Sequence, residues 1–160
     1  MSSNISIEIA TETDLPSIKP LLLELMDAMD NTEGFDIEKA IENCRSLIKD
    51  PASHILLAKD KDAVVGFINF TTRKTIMHSG LSGLIDELVV SSSHRGLGIG
   101  KNLLIAAIEK CRELGCCEVE VSTPPRVPDC IRQIGKRPPS EGGQRISVQQ
   151  DSRSKSPLLI

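Results

Sequence analysis

Aromatic side chains are nearly missing from this 160-residue chain: it has three Phe and neither Trp nor Tyr. Proteins that hold single-stranded nucleic acid stack bases on such rings, so that class loses its basis. A formal net charge of −3 also speaks against binding to a phosphate backbone. No apolar run reaches the roughly 18 residues that a membrane span needs. The N-terminal residues lack the basic stretch followed by an apolar one that directs secretion. Five Cys occur (Cys44, Cys111, Cys116, Cys117 and Cys130) without a C-x-x-C pair. They read as reduced thiols of a cytoplasmic protein, with neither a metal site nor a disulfide framework. No nucleic acid, no membrane and no metal is therefore expected as a partner.

The hydrophobic fraction is 39% and the charged fraction 26%, values ordinary for one globular domain. Ile5, Ile7 and Ile9 alternate with polar residues, the period of a half-buried strand. Thr11 to Asp14 offers a helix N-cap, and Leu15, Ile18, Leu22, Leu25, Met26 and Met29 then fall on one helical face. Pro16 sits in the first turn, where a missing N–H costs little. A second helix is predicted from about 36 to 49, ended by Asp50-Pro51. Residues 55–59 and 63–72 read as a hairpin about Asp60-Lys61-Asp62, and 81–90 as a further strand. A helix over about 99–114, with Gly115 as its C-cap, and a strand over 117–122 complete the order β-α-α-β-β-β-α-β. This is an α/β (α+β) pattern, a mixed sheet with helices on its faces.

After Thr123 the character changes. Residues 124–160 hold six Pro and seven Lys or Arg against three Asp or Glu, whereas residues 1–123 carry twelve basic residues against nineteen acidic ones. The chain thus divides into a core at 1–123 and a Pro-rich basic tail at 124–160 that reads as poorly ordered, with Ile146 and Val148 as a candidate edge strand.

The strongest local signal is Val89-Val90, a polar loop, and then Arg95-Gly96-Leu97-Gly98-Ile99-Gly100-Lys101 running into an amphipathic helix. A helix start leaves backbone N–H groups unpaired and carries partial positive charge, and glycines let an anion approach them. A phosphate or pyrophosphate is the expected ligand. The P-loop pattern G-x-x-x-x-G-K-[ST] fails, because Arg95 stands at its first glycine and Asn102 follows Lys101. The dinucleotide pattern G-x-G-x-x-G fails as well, because Lys101 stands at its third glycine. The pattern R/Q-x-x-G-x-G/A fits.

At Arg95-x-x-Gly98-x-Gly100, between a fourth strand and a third helix, the chain resembles the GNAT N-acetyltransferase superfamily, and the element order over about 4–123 matches too. The resemblance implies the GNAT fold, a mixed and mostly antiparallel sheet with helices on both faces. It implies acetyl-CoA as co-substrate and transfer of its acetyl group to a primary amine of a small molecule or protein. It also implies that the amides of Arg95, Gly96, Leu97, Gly98, Ile99 and Gly100 hold the coenzyme pyrophosphate. Lys101 would add charge, and the pantetheine arm would pair with the backbone of Leu88, Val89 and Val90 like an added strand.

Transfer to an amine requires a base, and Asp86 and Glu87 stand just before Leu88. Side chains alternate along a regular strand, so one of the two is expected to face the acceptor groove. His54, His78 and His94 are isolated; His78 is placed to border the acceptor site, although a surface role suits all three. The acidic residues of the first helix, Glu24 among them, read as a solvated face.

The resemblance fails beyond 123. The family has a further helix and two strands there, with an aromatic-Tyr pair, and this chain has Pro124-Pro125-Arg126-Val127-Pro128-Asp129-Cys130 and no Tyr. The C-terminal part of the fold therefore reads as incomplete, with Cys130 or water left to serve the leaving thiolate. An uncovered sheet edge would suit a homodimer. The alternative function is a catalytically impaired CoA-binding or protein-interaction module.

Overall fold

The computed structural model describes residues 4–29, 33–123, 145–150 and 158–159. The chain runs β1 (Ile5–Ile9), α1 (Leu15–Asp27), α2 (Ile37–Lys49), β2 (Ser53–Asp60), β3 (Ala63–Lys74), β4 (Leu81–Val90), α3 (Ile99–Glu113), β5 (Cys116–Thr123), β6 (Arg145–Gln150) and β7 (Leu158–Leu159). Up to β5 this is the order the hydrophobic periods predict, with ends shifted by one or two residues.

Local chemistry explains several boundaries. Thr11 donates its backbone N–H to the Asp14 carboxylate at 2.8 Å just before α1, and the Asp36 side chain accepts from Glu38 N–H at 3.0 Å to start α2. After α3, Gly115 takes φ +84°, the left-handed turn that glycine accepts without strain.

The sheet is mixed. β1 to β4 pair antiparallel in chain order, while β5 lies parallel to β4 and β6 parallel to β5. β6 falls where Ile146 and Val148 suggest a strand, and it covers the outer edge of β5 that the sequence reading leaves open. Most of 124–160, Cys130 included, lies outside the described residues.

Helices cover both faces. On one side α3 packs Leu103, Leu104 and Ala107 against Ile68, Phe70, Ile85 and Leu88. On the other, α1 and α2 lie over Ile55, Leu57, Phe67 and Val89, with Ile18, Leu21 and Leu25 buried beneath them. Burial of a Leu- or Ile-sized side chain stabilises the fold by about 1.5–3 kcal/mol, so these two layers fix the path of β4 between them. Close packing tightens this further at Gly66, where a Cβ would stand 2.9 Å from the Val89 carbonyl oxygen.

Candidate active site

Strand β4 is irregular where its carboxylates stand. Asn69 of β3 lies opposite Glu87 but Phe70 lies opposite Ile85, so Asp86 is an extra residue, a β-bulge. The bulge cancels the alternation expected of a regular strand. The Asp86 carboxylate accepts from Thr71 Oγ1 at 3.4 Å, and Glu87 accepts from Asn69 Nδ2 at 2.6 Å. Asn69 and Thr71 are two apart on β3 and share a face, so Asp86 and Glu87 both project toward α1 and α2. The expectation that only one of them faces that side is corrected, because register between strands, not spacing along one, decides it.

Burial raises both carboxyl groups above their ordinary values. For Asp86 the Thr71 hydroxyl and the Arg73 charge pull the other way. For Glu87 the Asn69 amide pulls down and the Asp86 charge pushes up.

Beyond Val90 a 310 turn (Ser92–His94) leads to the glycine loop. Gly96 and Gly98 take φ +77° and +81°, and a Cβ at either would meet nothing within 4 Å, so open space lies before the loop. Gly98 is the N-cap of α3, and the first helical bond runs from Asn102 N–H to Gly98 O at 3.0 Å. The N–H groups of Ile99, Gly100 and Lys101 therefore have no carbonyl one turn back. This is a cradle for an anion, and it fits the pyrophosphate that the loop pattern implies.

Arg95 turns its side chain away from that cradle. Its Nε donates to Val90 O at 2.9 Å and its Nη2 to Glu24 at 3.1 Å. Glu24 also accepts from Ser92 N–H at 2.9 Å. Glu24, read from the sequence as part of a solvated face, thus pins the loop to α1. The partners are 71 and 68 residues away, and nothing local signals the contact.

β4 also parts from its neighbour. β5 pairs with Leu81 to Ile85 only. Past the fork, the backbone of Leu88 and Val89 pairs in parallel with Leu158 and Leu159 of β7. The strand edge that the resemblance assigns to the pantetheine arm carries this short strand.

A sequence model of the "Acetyltransferase (GNAT) family" matches residues 15–128. The chain belongs to the GNAT acetyltransferase family. It is 32% identical over 114 residues to the aminoalkylphosphonate N-acetyltransferase of Salmonella typhimurium, covering 71% of each chain. Among solved structures, a ribosomal-protein-alanine N-acetyltransferase from Brucella melitensis biovar Abortus 2308 superposes with TM-score 0.65 at 25% identity, over 81% of this chain and 86% of that one. A transcriptional regulator from Bacillus halodurans C-125 superposes with TM-score 0.70 at 25% identity, over 84% and 93%. GNAT enzymes use acetyl-CoA as co-substrate and act on amine acceptors, and nothing in these likenesses favours an impaired binding module.

In this acetyltransferase the histidines stand apart from the carboxylate pair. His78 closes the β3–β4 hairpin, with Nδ1 2.6 Å from Thr75 Oγ1 and Nε2 2.6 Å from Glu118. That is the far end of β4, because Glu118 pairs with Ser82, five residues from Glu87 and about 16 Å away at the rise of an extended strand. His94 lies 3.7 Å from Asp60. His54 stacks on Phe70 at 5.0 Å, and burial lowers its pKa. Among the described residues no His, Cys, Asp and Glu cluster is arranged to hold a metal ion, and no helix is long and apolar enough to cross a membrane.

A cavity of about 220 Å³ opens between α1, α2 and the sheet, and Glu87 and Asn69 form part of its wall. Cys44 lines it too, and burial together with the Glu87 charge pushes that thiol up to about 11.

Proposed function

We propose that this acetyltransferase moves the acetyl group of acetyl-CoA directly onto a primary amine of a small molecule or protein, with Glu87 as the general base. The observation that carries this reading is the economy of β4. One strand presents a half-buried carboxylate at Glu87 and, three residues later, ends in a loop whose glycines open the mouth of α3.

When bound, acetyl-CoA supplies the acyl carbon, its C–S bond breaking as the C–N bond to the acceptor forms. Glu87 takes one proton from the acceptor ammonium so that the nitrogen lone pair is free. Its raised pKa suits this, because a base titrating nearer the working pH is the stronger one. The second proton on nitrogen leaves with the sulfur, so the products are an amide, a free thiol and one proton that Glu87 returns to solvent. Asp86, beside it on the same face, adds negative charge that attracts the ammonium and raises Glu87 further.

The amides from Arg95 to Gly100 would hold the diphosphate, with Lys101 adding charge. Backbone groups of Leu88, Val89 and Val90 would orient the arm and polarise the thioester oxygen. Cys44 shares the cavity with Glu87, but a thiol at about 11 stays protonated near neutrality. That supports direct transfer over an acyl-cysteine route. The free thiols Cys44, Cys111, Cys116 and Cys117 support a reducing, cytoplasmic setting.

The test is release of free coenzyme thiol with a panel of amines, by the wild-type chain and by Glu87→Gln. A Glu87→Gln chain that turns over as fast as wild type at every pH would overturn the assignment of the base.

A further inference from the structure

The walls of the cavity beside Glu87 are apolar almost throughout. α1 contributes Ile18, Leu22 and Leu25, the sheet contributes Phe67, and α2 with the segment before it contributes Leu47 and Phe35. Among the described residues of the lining Glu87 is the one that carries charge, and neither Lys nor Arg occurs. Asn43 and Cys44 of α2 also line it, while Asn69 and Glu87 stand together on the sheet side. Asn69 is 6% exposed and gives its amide N–H to the Glu87 carboxylate at 2.6 Å. A carboxylate only accepts, so that bond fixes which Asn69 atom is nitrogen. The Asn69 Oδ1 is left buried without a hydrogen-bond partner among the described residues. A buried unsatisfied acceptor calls for a bound donor, and beside a carboxylate a cationic donor gains the charge attraction that water lacks.

We propose that the acceptor is a primary amine with an uncharged apolar body of roughly six to eight carbons, its nitrogen held between the Glu87 carboxylate and Asn69 Oδ1. This inference rests on the acetyl-transfer reading and narrows its substrate. The ammonium N–H groups satisfy both acceptors, and its carbon skeleton replaces water along the Leu and Phe walls. Size sets the length. A cavity of roughly 150 Å³ already holds benzene, and the space here is about 220 Å³, enough for a ring and a short methylene arm.

The same walls exclude a second anion. A phosphonate or carboxylate on the acceptor would lie in apolar surroundings near Glu87 with no Lys or Arg among the described lining residues to meet it, and burial of an unpaired charge is strongly unfavourable. The curated relative from Salmonella typhimurium is named for aminoalkylphosphonates. On this inference the two proteins share the transfer chemistry and differ in acceptor. Polyamines are disfavoured for a related reason, because their second ammonium would be desolvated against Leu and Phe side chains.

The experiment uses the full chain and four amines: hexylamine, 2-phenylethylamine, spermidine and 1-aminoethylphosphonate. Thermal shift reads binding with and without coenzyme A, and thiol release reads turnover. The expected result is a shift with the first two amines only, and kcat/KM for them at least about 100-fold above that for the phosphonate, the discrimination expected when a charge must be buried unpaired. Ala40→Phe, which fills the cavity from α2, should abolish the amine shift and leave the coenzyme A shift in place. Preference for spermidine or the phosphonate, with turnover intact, would overturn the apolar pocket and leave acetyl transfer standing. Absence of thiol release with every amine, while hexylamine and phenylethylamine still shift the melting point, would overturn the transfer reading and leave the pocket. No shift with either apolar amine would reject the pocket whatever the activity.

Discussion

Asn69 Nδ2 donates to the Glu87 carboxylate at 2.6 Å across the β3–β4 ladder, at the step where Asp86 is squeezed out as a bulge. The bond holds a carboxylate in a position that burial makes unfavourable for its charge. A group kept there at a cost to folding is a place where function and stability oppose each other.

Glu87→Gln separates the two. The exchange keeps shape and still accepts from Asn69, so activity should fall by roughly 10²–10⁴-fold, the range for a lost general base. In wild type, kcat/KM should decline as pH falls through the raised Glu87 pKa, and that limb should vanish in the variant. Stability moves the other way. A carboxyl whose folded pKa lies above its unfolded value favours folding when protonated, and that contribution is lost as pH rises through the folded pKa. Glu87→Gln should therefore melt higher than wild type at pH 7, by scanning calorimetry.

Gly98→Ala tests the cradle. At φ +81° an L-residue is strained by about 1–2 kcal/mol, but no atom lies within 4 Å of the new methyl group, so the fold should survive. The methyl group enters the space before the α3 amides, and coenzyme A affinity by titration calorimetry should fall more than about tenfold, the effect of losing one good hydrogen bond to an anion. Gly66→Ala is the contrast. Its Cβ would lie 2.9 Å from the Val89 carbonyl oxygen, and it should lower the melting temperature first.

Glu24→Ala removes the brace between α1 and the loop. Ser92 N–H and Arg95 Nη2 both lose their acceptor, while Arg95 Nε keeps Val90 O. Both sites are partly open to solvent, so global stability should drop by no more than about 1 kcal/mol. The KM for acetyl-CoA should rise while kcat with saturating coenzyme changes little, because the loop and not the base is disturbed.

β7 gives a fourth test. Leu158 and Leu159 pair with the Leu88–Val89 backbone, the edge the coenzyme arm would use. A chain shortened to end at Pro157 should bind coenzyme A more tightly, with a several-fold lower Kd by calorimetry. An unchanged Kd would mean that the arm does not pair with that edge.

His54 predicts an acid-sensitive fold. Burial, and after it the Lys110 charge, lower its pKa from 6.5. The neutral ring is the form that folding favours, so this contribution is present above pH 6.5 and is lost as pH falls from there toward the folded value. His54→Phe, which keeps a ring on Phe70, should flatten the melting-temperature profile between about pH 6.5 and pH 5, within the range where histidine titrates.

Local chemistry is what the sequence by itself determined. Alternation at Ile5–Ile9, the cap at Thr11 to Asp14, the stripe of α3 and the glycines before it each depend on residues within a turn or two, so β1 to β5 and the anion loop are legible in order. The tertiary structure decided what depends on pairing across the chain. Register between β3 and β4 put Asp86 and Glu87 on one face, where spacing alone had put them on two. Packing of α1 against the loop turned Glu24 from a solvent-facing acid into a brace. The cavity is divided among α1, α2, β3 and β4, and the fork of β4 receives Leu158 and Leu159. No short-range pattern encodes these contacts, because each exists only once segments tens of residues apart have packed together.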